Sequence, residues 1–218
     1  MKAILAFEKG DAIRMVGHLD IMRAMQRALR RSMLPCRYSQ GFNPHMILNF
    51  ASALPVGVGA KEEIAEVTFD EELTAEEIFS ALAPAMPTAM RLIKVRVVPD
   101  AHPSLTSLLA MADYEVELEP VPDAQKALDC LPAFCEKESV MITRKSKSGE
   151  KTEDVKQLIK SLKAENGRIY ARVSATETSN LRADKLTNAI LEFAGVKVAY
   201  RARRLSLYTS DGQPLWDM

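Results

Sequence analysis

Apolar and polar positions switch between strand and helix periods in the same order twice along the chain. The first half opens with the apolar run Ala3-Ile4-Leu5-Ala6-Phe7, predicted as a strand over residues 2–7, and a second short strand is predicted over 12–16. Apolar residues then recur at helical spacing over 19–33 and stop at Leu34-Pro35, since proline disfavours helix at the residue before it. Residues 46–52 and 64–69 read as strands on either side of Leu54-Pro55-Val56-Gly57-Val58-Gly59. Thr74, followed by Glu76 and Glu77, marks the start of a helix that ends near Pro84, and 90–98 closes the half as a strand.

The second half repeats that order. Tyr114-Glu115-Val116-Glu117-Leu118 alternates as a strand should, and 123–134 reads as a helix interrupted by Pro132. Residues 140–144 and 155–163 flank a Ser146-Lys147-Ser148-Gly149 turn, which predicts a basic hairpin or ribbon. A strand over 169–175, a helix over 183–193 capped by Gly195, and a strand over 197–208 follow. Strand–helix–strand–strand–helix–strand is the split βαβ order. The expected fold is therefore α+β: two ferredoxin-like halves, 1–99 and 104–218, with mainly antiparallel sheets. Residues 99–103 are the linker, and no sequence repeat accompanies the doubled order.

Charge changes the picture more than composition does. Formal net charge is zero, but the signs are segregated. Between Gly10 and Gly59 stand Arg14, Arg23, Arg27, Arg30, Arg31 and Arg37, with no lysine and only Asp11 and Asp20 as acids. Residues 61–77 carry eight acids against one lysine, and 113–138 is a second acidic stretch. A neutral chain with separate basic and acidic surfaces can dock a polyanion on one side. No apolar run is long enough to span a bilayer, so no membrane association is expected. Three scattered cysteines suit a reducing compartment, so a cytoplasmic location is expected.

At 100° per residue, Arg23, Arg27, Arg30 and Arg31 fall within about a third of the first helix's circumference. Planar guanidinium forks suit phosphate pairs. Gly17-His18-Leu19-Asp20 stands at the start of that helix. His18 and Asp20 read either as structural groups or as the corner of a site. Tyr38-Ser39-Gln40-Gly41-Phe42-Asn43-Pro44-His45 is rich in stacking and hydrogen-bonding groups and poor in core formers. Tyr38, Phe42 and His45 could stack on bases, while Ser39, Gln40 and Asn43 could read base edges. His18, Asp20, Tyr38, Asn43 and His45 are expected to meet in one cleft, provided the loop travels back along the helix. No metal and no cofactor is expected, a metal site of His18, Asp20 and His45 being the lesser alternative. Cys130 and Cys135 form only a C-x4-C pair, the C-x3-C-x2-C cluster spacing is absent, and His18, His45 and His102 form no paired-ligand motif.

Several runs carry a resemblance. Arg14-Met15-Val16-Gly17-His18-Leu19-Asp20-Ile21-Met22-Arg23, then Gln26-Arg27-Ala28-Leu29-Arg30-Arg31-Ser32-Met33-Leu34-Pro35, the Tyr38–His45 loop, and Ser52-Ala53-Leu54-Pro55-Val56-Gly57-Val58 cover the first ~60 residues in order. Ser179-Asn180-Leu181-Arg182 and Arg203-Arg204-Leu205-Ser206-Leu207-Tyr208 add to them later in the chain. The sequence resembles the radical-SAM-linked family of domains of unknown function, as a stand-alone member. It departs from the pattern after His45, where Met46-Ile47 stands in place of a proline and a basic residue. The resemblance implies a radical SAM protein as partner and an RNA or ribosome context.

The leading expectation is an RNA-engaging accessory protein, with phosphates on the arginine stripe and a nucleotide at the loop. Two rivals stand beside it. One is an RNA-modifying enzyme, since the doubled layout is similar to that of tRNA pseudouridine synthases, with Asp20 the candidate catalytic residue. The other is a protein-interaction module built on the acidic segments.

Overall fold

The computed structural model describes residues 1–146 and 149–218. The fold is mixed α+β, with mainly antiparallel strand pairing. The chain divides into two compact units, Met1–Leu109 with Ser206–Met218, and Ala110–Leu205. The boundary expected at 99–103 thus lies a few residues later, and the C-terminal residues belong to the first unit. Among the described residues no helix is long and apolar enough to cross a membrane.

The first unit comprises β1 (Lys2–Lys9), α1 (His18–Arg31), β2 (Leu48–Phe50), β3 (Val58–Thr68), α2 (Ala75–Leu82), β4 (Leu92–Val98) and α3 (Leu105–Leu108). Its strands lie in the order β4-β1-β3-β2, each pair antiparallel. Strand β1 reads as a continuous apolar run because both of its faces are buried. Ala3, Leu5 and Phe7 join a core with Met25, Ala28 and Leu29 of α1 and Ile78 and Leu82 of α2. Ile4 and Ala6, pointing the other way, are equally buried.

The strand expected over 12–16 does not form. A 3-10 turn, Asp11–Ile13, takes its place. The buried Lys9 side chain explains the difference: its Nζ donates to the carbonyls of Arg14 at 3.1 Å and Val16 at 3.0 Å. Those are acceptors a strand neighbour would otherwise use, and they satisfy a cation that is 2% exposed. The segment is thereby bent into the turn that starts α1.

Helix α2 begins as its residues foretell. Thr74 Oγ1 accepts from the Glu77 N–H, while the Glu77 carboxylate accepts from the Thr74 N–H at 2.8 Å. Thr74→Ala is expected to cost about 1 kcal/mol in chemical denaturation. The Glu77 carboxylate also accepts from the Thr74 hydroxyl at 2.9 Å, and the two bonds it accepts hold it below its ordinary pKa, the Thr74 backbone N–H contributing most. A depressed carboxyl stabilises the fold above its unfolded-state pKa. Its contribution is therefore lost as pH falls through the folded value. In Thr74→Ala that acid-side loss should be smaller than in the parent, and a parent-like pH profile would contradict the pairing.

The second unit comprises β5 (Met111–Leu118), α4 (Pro122–Asp129), α5 (Leu131–Glu136), β6 (Met141–Ser146), β7 (Gly149–Asp154), β8 (Ile159–Glu165), β9 (Arg168–Ser174), α6 (Ala183–Phe193) and most of β10 (Tyr200–Tyr208). The strand order is β10-β5-β9-β8, and β6 and β7 form a separate ribbon. Pro132 splits the expected 123–134 helix in two by standing in the first turn of α5.

The ribbon differs from the one expected over 140–144 and 155–163, because β6 pairs with β7 and, within 155–163, the residues from Ile159 on pair with β9. Asp154 explains the break. Its Oδ1 accepts from the Val140 N–H at 2.8 Å and the Lys156 N–H at 2.9 Å, closing the ribbon at its foot and turning the chain away. Those two bonds, that from Lys156 first, hold the Asp154 carboxyl below its ordinary pKa. Of the expected turn, Lys147 and Ser148 lie outside the described residues.

Candidate nucleic-acid interface

Helix α1 starts at Gly17, whose extended backbone (φ −72°, ψ 159°) forms the cap. The 3.6-residue period then sorts the side chains. Ile21, Met25, Ala28 and Leu29 are buried, while Asp20, Arg23, Arg27, Arg30 and Arg31 are exposed. The four arginines are not equivalent. Arg23 Nη1 meets Asp20 Oδ1 at 2.9 Å, an exposed i,i+3 pair. Arg31 donates to the Ala85 carbonyl. Arg27 and Arg30 have no hydrogen-bond or ion-pair partner among the described residues, so their full charge faces solvent. Arg37 serves the fold instead: it bridges Asp70 at 2.8 Å and Asp100 at 3.3 Å, which raises its pKa, the Asp70 hydrogen bond contributing most.

The 38–45 loop is the tip of a hairpin. Its arms meet at the Tyr38–Met46 bridge and where the Ile47 N–H donates to the Arg37 carbonyl at 2.9 Å. Ser39 and His45 lock each other. The Ser39 N–H donates to the His45 carbonyl at 2.8 Å, the His45 N–H donates to Ser39 Oγ at 3.0 Å, and Ser39 Oγ lies 2.8 Å from His45 Nδ1. Gly41, at φ +121°, takes a backbone conformation that side chains strain against. Beyond this lock Gln40, Phe42, Asn43 and Pro44 are exposed, and Phe42 is wholly in solvent.

Register shows which residues meet. The foot of the hairpin sits at the end of β3 that pairs with the start of β1, through Cys36–Phe69 and the Arg37 N–H to the Thr68 carbonyl. Residues 33–35 lead there directly from the last turn of α1. The first turn of α1 lies at the opposite end, where the Gly57 N–H donates to the Arg14 carbonyl at 2.9 Å. The foot of the hairpin therefore follows closely on the last turn of α1, which carries Arg30 and Arg31, while His18 and Asp20 stand at the far end of the helix. The return journey expected of the loop is made by β2 and residues 51–57. Phe50, not the loop, meets His18, edge to face at 5.2 Å between ring centroids.

Asp20 is exposed and salt-bridged, the ordinary setting of an acid in a helix's first turn. Among the described residues no three or more His, Cys, Asp or Glu side chains are grouped to hold a metal ion. A feature that the residue pattern did not single out is apolar exposure at the α1 start: Met15, Leu19 and Val56 are all exposed. Gly17 brings Val56 close, since a Cβ placed there would lie 3.8 Å from Val56 Cγ2. Met15 and Leu19 carry core-type side chains, so spacing alone gave no sign of their exposure.

Residues 2–183 match a bacterial family described as "Uncharacterized protein conserved in bacteria (DUF2344)". The chain belongs to this family. The DUF2344 match takes in α1, the hairpin and the first unit's sheet, and runs to the first residue of α6. No curated protein matches the chain.

Proposed function

We propose that this DUF2344 protein is an RNA-engaging accessory protein that works with a radical SAM enzyme in an RNA- or ribosome-related pathway. Two neighbouring features carry the RNA reading: α1 offers Arg27 and Arg30, unpaired among the described residues, to solvent, and a locked hairpin whose foot follows closely on the helix's last turn holds Phe42 in water. Unneutralised guanidinium groups suit phosphates. An aromatic ring that contributes nothing to the core suits an unstacked base, with Gln40 and Asn43 beside it for the base edge. Arg23, Arg31, Tyr38, Ser39 and His45 form the surrounding frame. The radical SAM partner is implied by the sequence resemblance, and the exposed Met15, Leu19 and Val56 supply apolar surface for a protein contact at the other end of α1. The three free cysteines agree with a cytoplasmic setting.

The same proposal reads each unit as ferredoxin-like. The orders β4-β1-β3-β2 and β10-β5-β9-β8 support it, with the β6–β7 ribbon as an insertion in the second unit. A self-sufficient enzyme built on Asp20 draws no support from an exposed carboxylate that already has a cation 2.9 Å away.

RNA co-purified with the protein, sequenced and then rebound as a labelled oligonucleotide, tests the reading. Phe42→Ala is expected to leave stability within about 0.5 kcal/mol, since the ring packs on nothing. It should weaken binding of that RNA by about 1–3 kcal/mol, the worth of one stacked base. Undiminished affinity in Phe42→Ala would remove the hairpin from the interface.

A further inference from the structure

On the face of the first unit's sheet opposite α1, Lys94 and Arg96 occupy alternate positions of β4, on either side of the core-facing Val95. The C-terminal 3-10 turn Leu215–Asp217 lies over them. Leu215 anchors the turn by complete burial, and the Trp216 ring centroid lies 4.2 Å from Lys94 Nζ and 5.7 Å from the Arg96 guanidinium carbon. Lys94 has a second partner, Glu62, at 3.0 Å. Arg96 is different. Although the residue as a whole is only half-buried, Nε and Nη2 are shut off from solvent, and among the described residues no group accepts a hydrogen bond from either.

Those two nitrogens are the side-on fork of a guanidinium. Elsewhere in the chain the same pair is filled: Arg172 grips Asp113 through Nε at 2.7 Å and Nη2 at 2.8 Å, and Arg182 grips Asp184 at 2.9 and 2.8 Å. A buried fork without an acceptor is costly, and its geometry matches one kind of ligand, a planar or tetrahedral oxyanion taken by two parallel N–H···O bonds.

We propose that Arg96, roofed by Trp216, is a binding site for a carboxylate-bearing ligand. Local charge selects the carboxylate over a phosphate dianion. Arg96 and Lys94 stand against Glu62 and Asp217, so the surroundings are already neutral and a monoanion disturbs them least. Because the fork is sealed, the ligand enters as Trp216 swings off the strand. This site lies on the other sheet face from α1 and is independent of the RNA reading.

Trp216 is the only tryptophan in the sequence, so its fluorescence reports this site alone. Titrating the full chain with sodium acetate at constant ionic strength should give a saturable change. Arg96→Met, similar in length and apolar, should weaken it at least about tenfold, the worth of a charge-assisted bond. Arg96→Lys, which keeps the charge but loses the fork, should do the same. Asp217→Asn should strengthen acetate binding by removing a neighbouring negative charge. The proposal is overturned by an equal response to chloride, by a response that survives in both Arg96 variants, or by inorganic phosphate binding more tightly than acetate. It is also overturned by a parent protein that stays silent while Asp217→Asn responds, which would mean that Asp217 itself fills the fork.

Discussion

Phe7→Ala is expected to destabilise the first unit by about 3–5 kcal/mol, the range for deleting a fully buried aromatic side chain. Phe7 is completely buried at the end of β1 and meets Phe50 edge to face, with ring centroids 5.6 Å apart at 86°. Phe50 in turn meets His18 at 87°. The three rings form a chain from the central strand through β2 to the first residue of α1. Removing the inner ring leaves a cavity and releases the packing that sets where α1 begins. Urea denaturation should show a lower midpoint with an unchanged slope, the signature of lost stability in an intact fold. Phe42→Ala deletes the same side chain from a position with nothing around it, so a comparable loss at both sites would contradict the burial that separates them.

That contrast also shows how much was legible from the residues. Signals carried by near neighbours were reliable. Thr74 with Glu77 marked the α2 cap, Pro132 broke α4 from α5, and Gly195 at φ +68° ended α6, which spans the 183–193 expected. Where a distant group decides, the pattern misled. Nothing around residues 12–16 foretells that Lys9 will capture two of their carbonyls, and nothing around 155–163 foretells that Asp154 will close the ribbon before them. The arginine face of α1 was visible as a helical stripe. Which arginines were free was not, because Asp20 and the Ala85 carbonyl that engage Arg23 and Arg31 are tertiary or rotamer facts. The 38–45 loop was expected to travel back along the helix to His18. Only the Tyr38–Met46 bridge shows that it spends its length on a hairpin instead. The Arg96 fork was invisible for the same reason: residues 96 and 216 are joined only by the fold.

The double variant Arg27→Gln/Arg30→Gln is expected to cut affinity for the co-purified RNA by about tenfold or more and to flatten its salt dependence. The argument rests on counterions. Each phosphate neutralised on a single strand adds about 0.7 to the slope of log K against log salt, so losing two contacts should lower that slope by about 1.4. Glutamine has nearly the helix propensity of arginine, and both positions are exposed and without partners among the described residues, so folding should be unaffected. Arg23→Gln provides the internal comparison. Arg23 is already paired with Asp20, an exposed contact worth little in itself, but its charge is part-neutralised before RNA arrives. Its loss should therefore change the slope less than the loss of either free arginine. If α1 is the phosphate track, slope and affinity fall together in the double variant, while stacking at Phe42 keeps the residual binding at high salt. A double variant whose salt slope equals that of the parent would show that RNA charge is met elsewhere and would remove α1 from the interface.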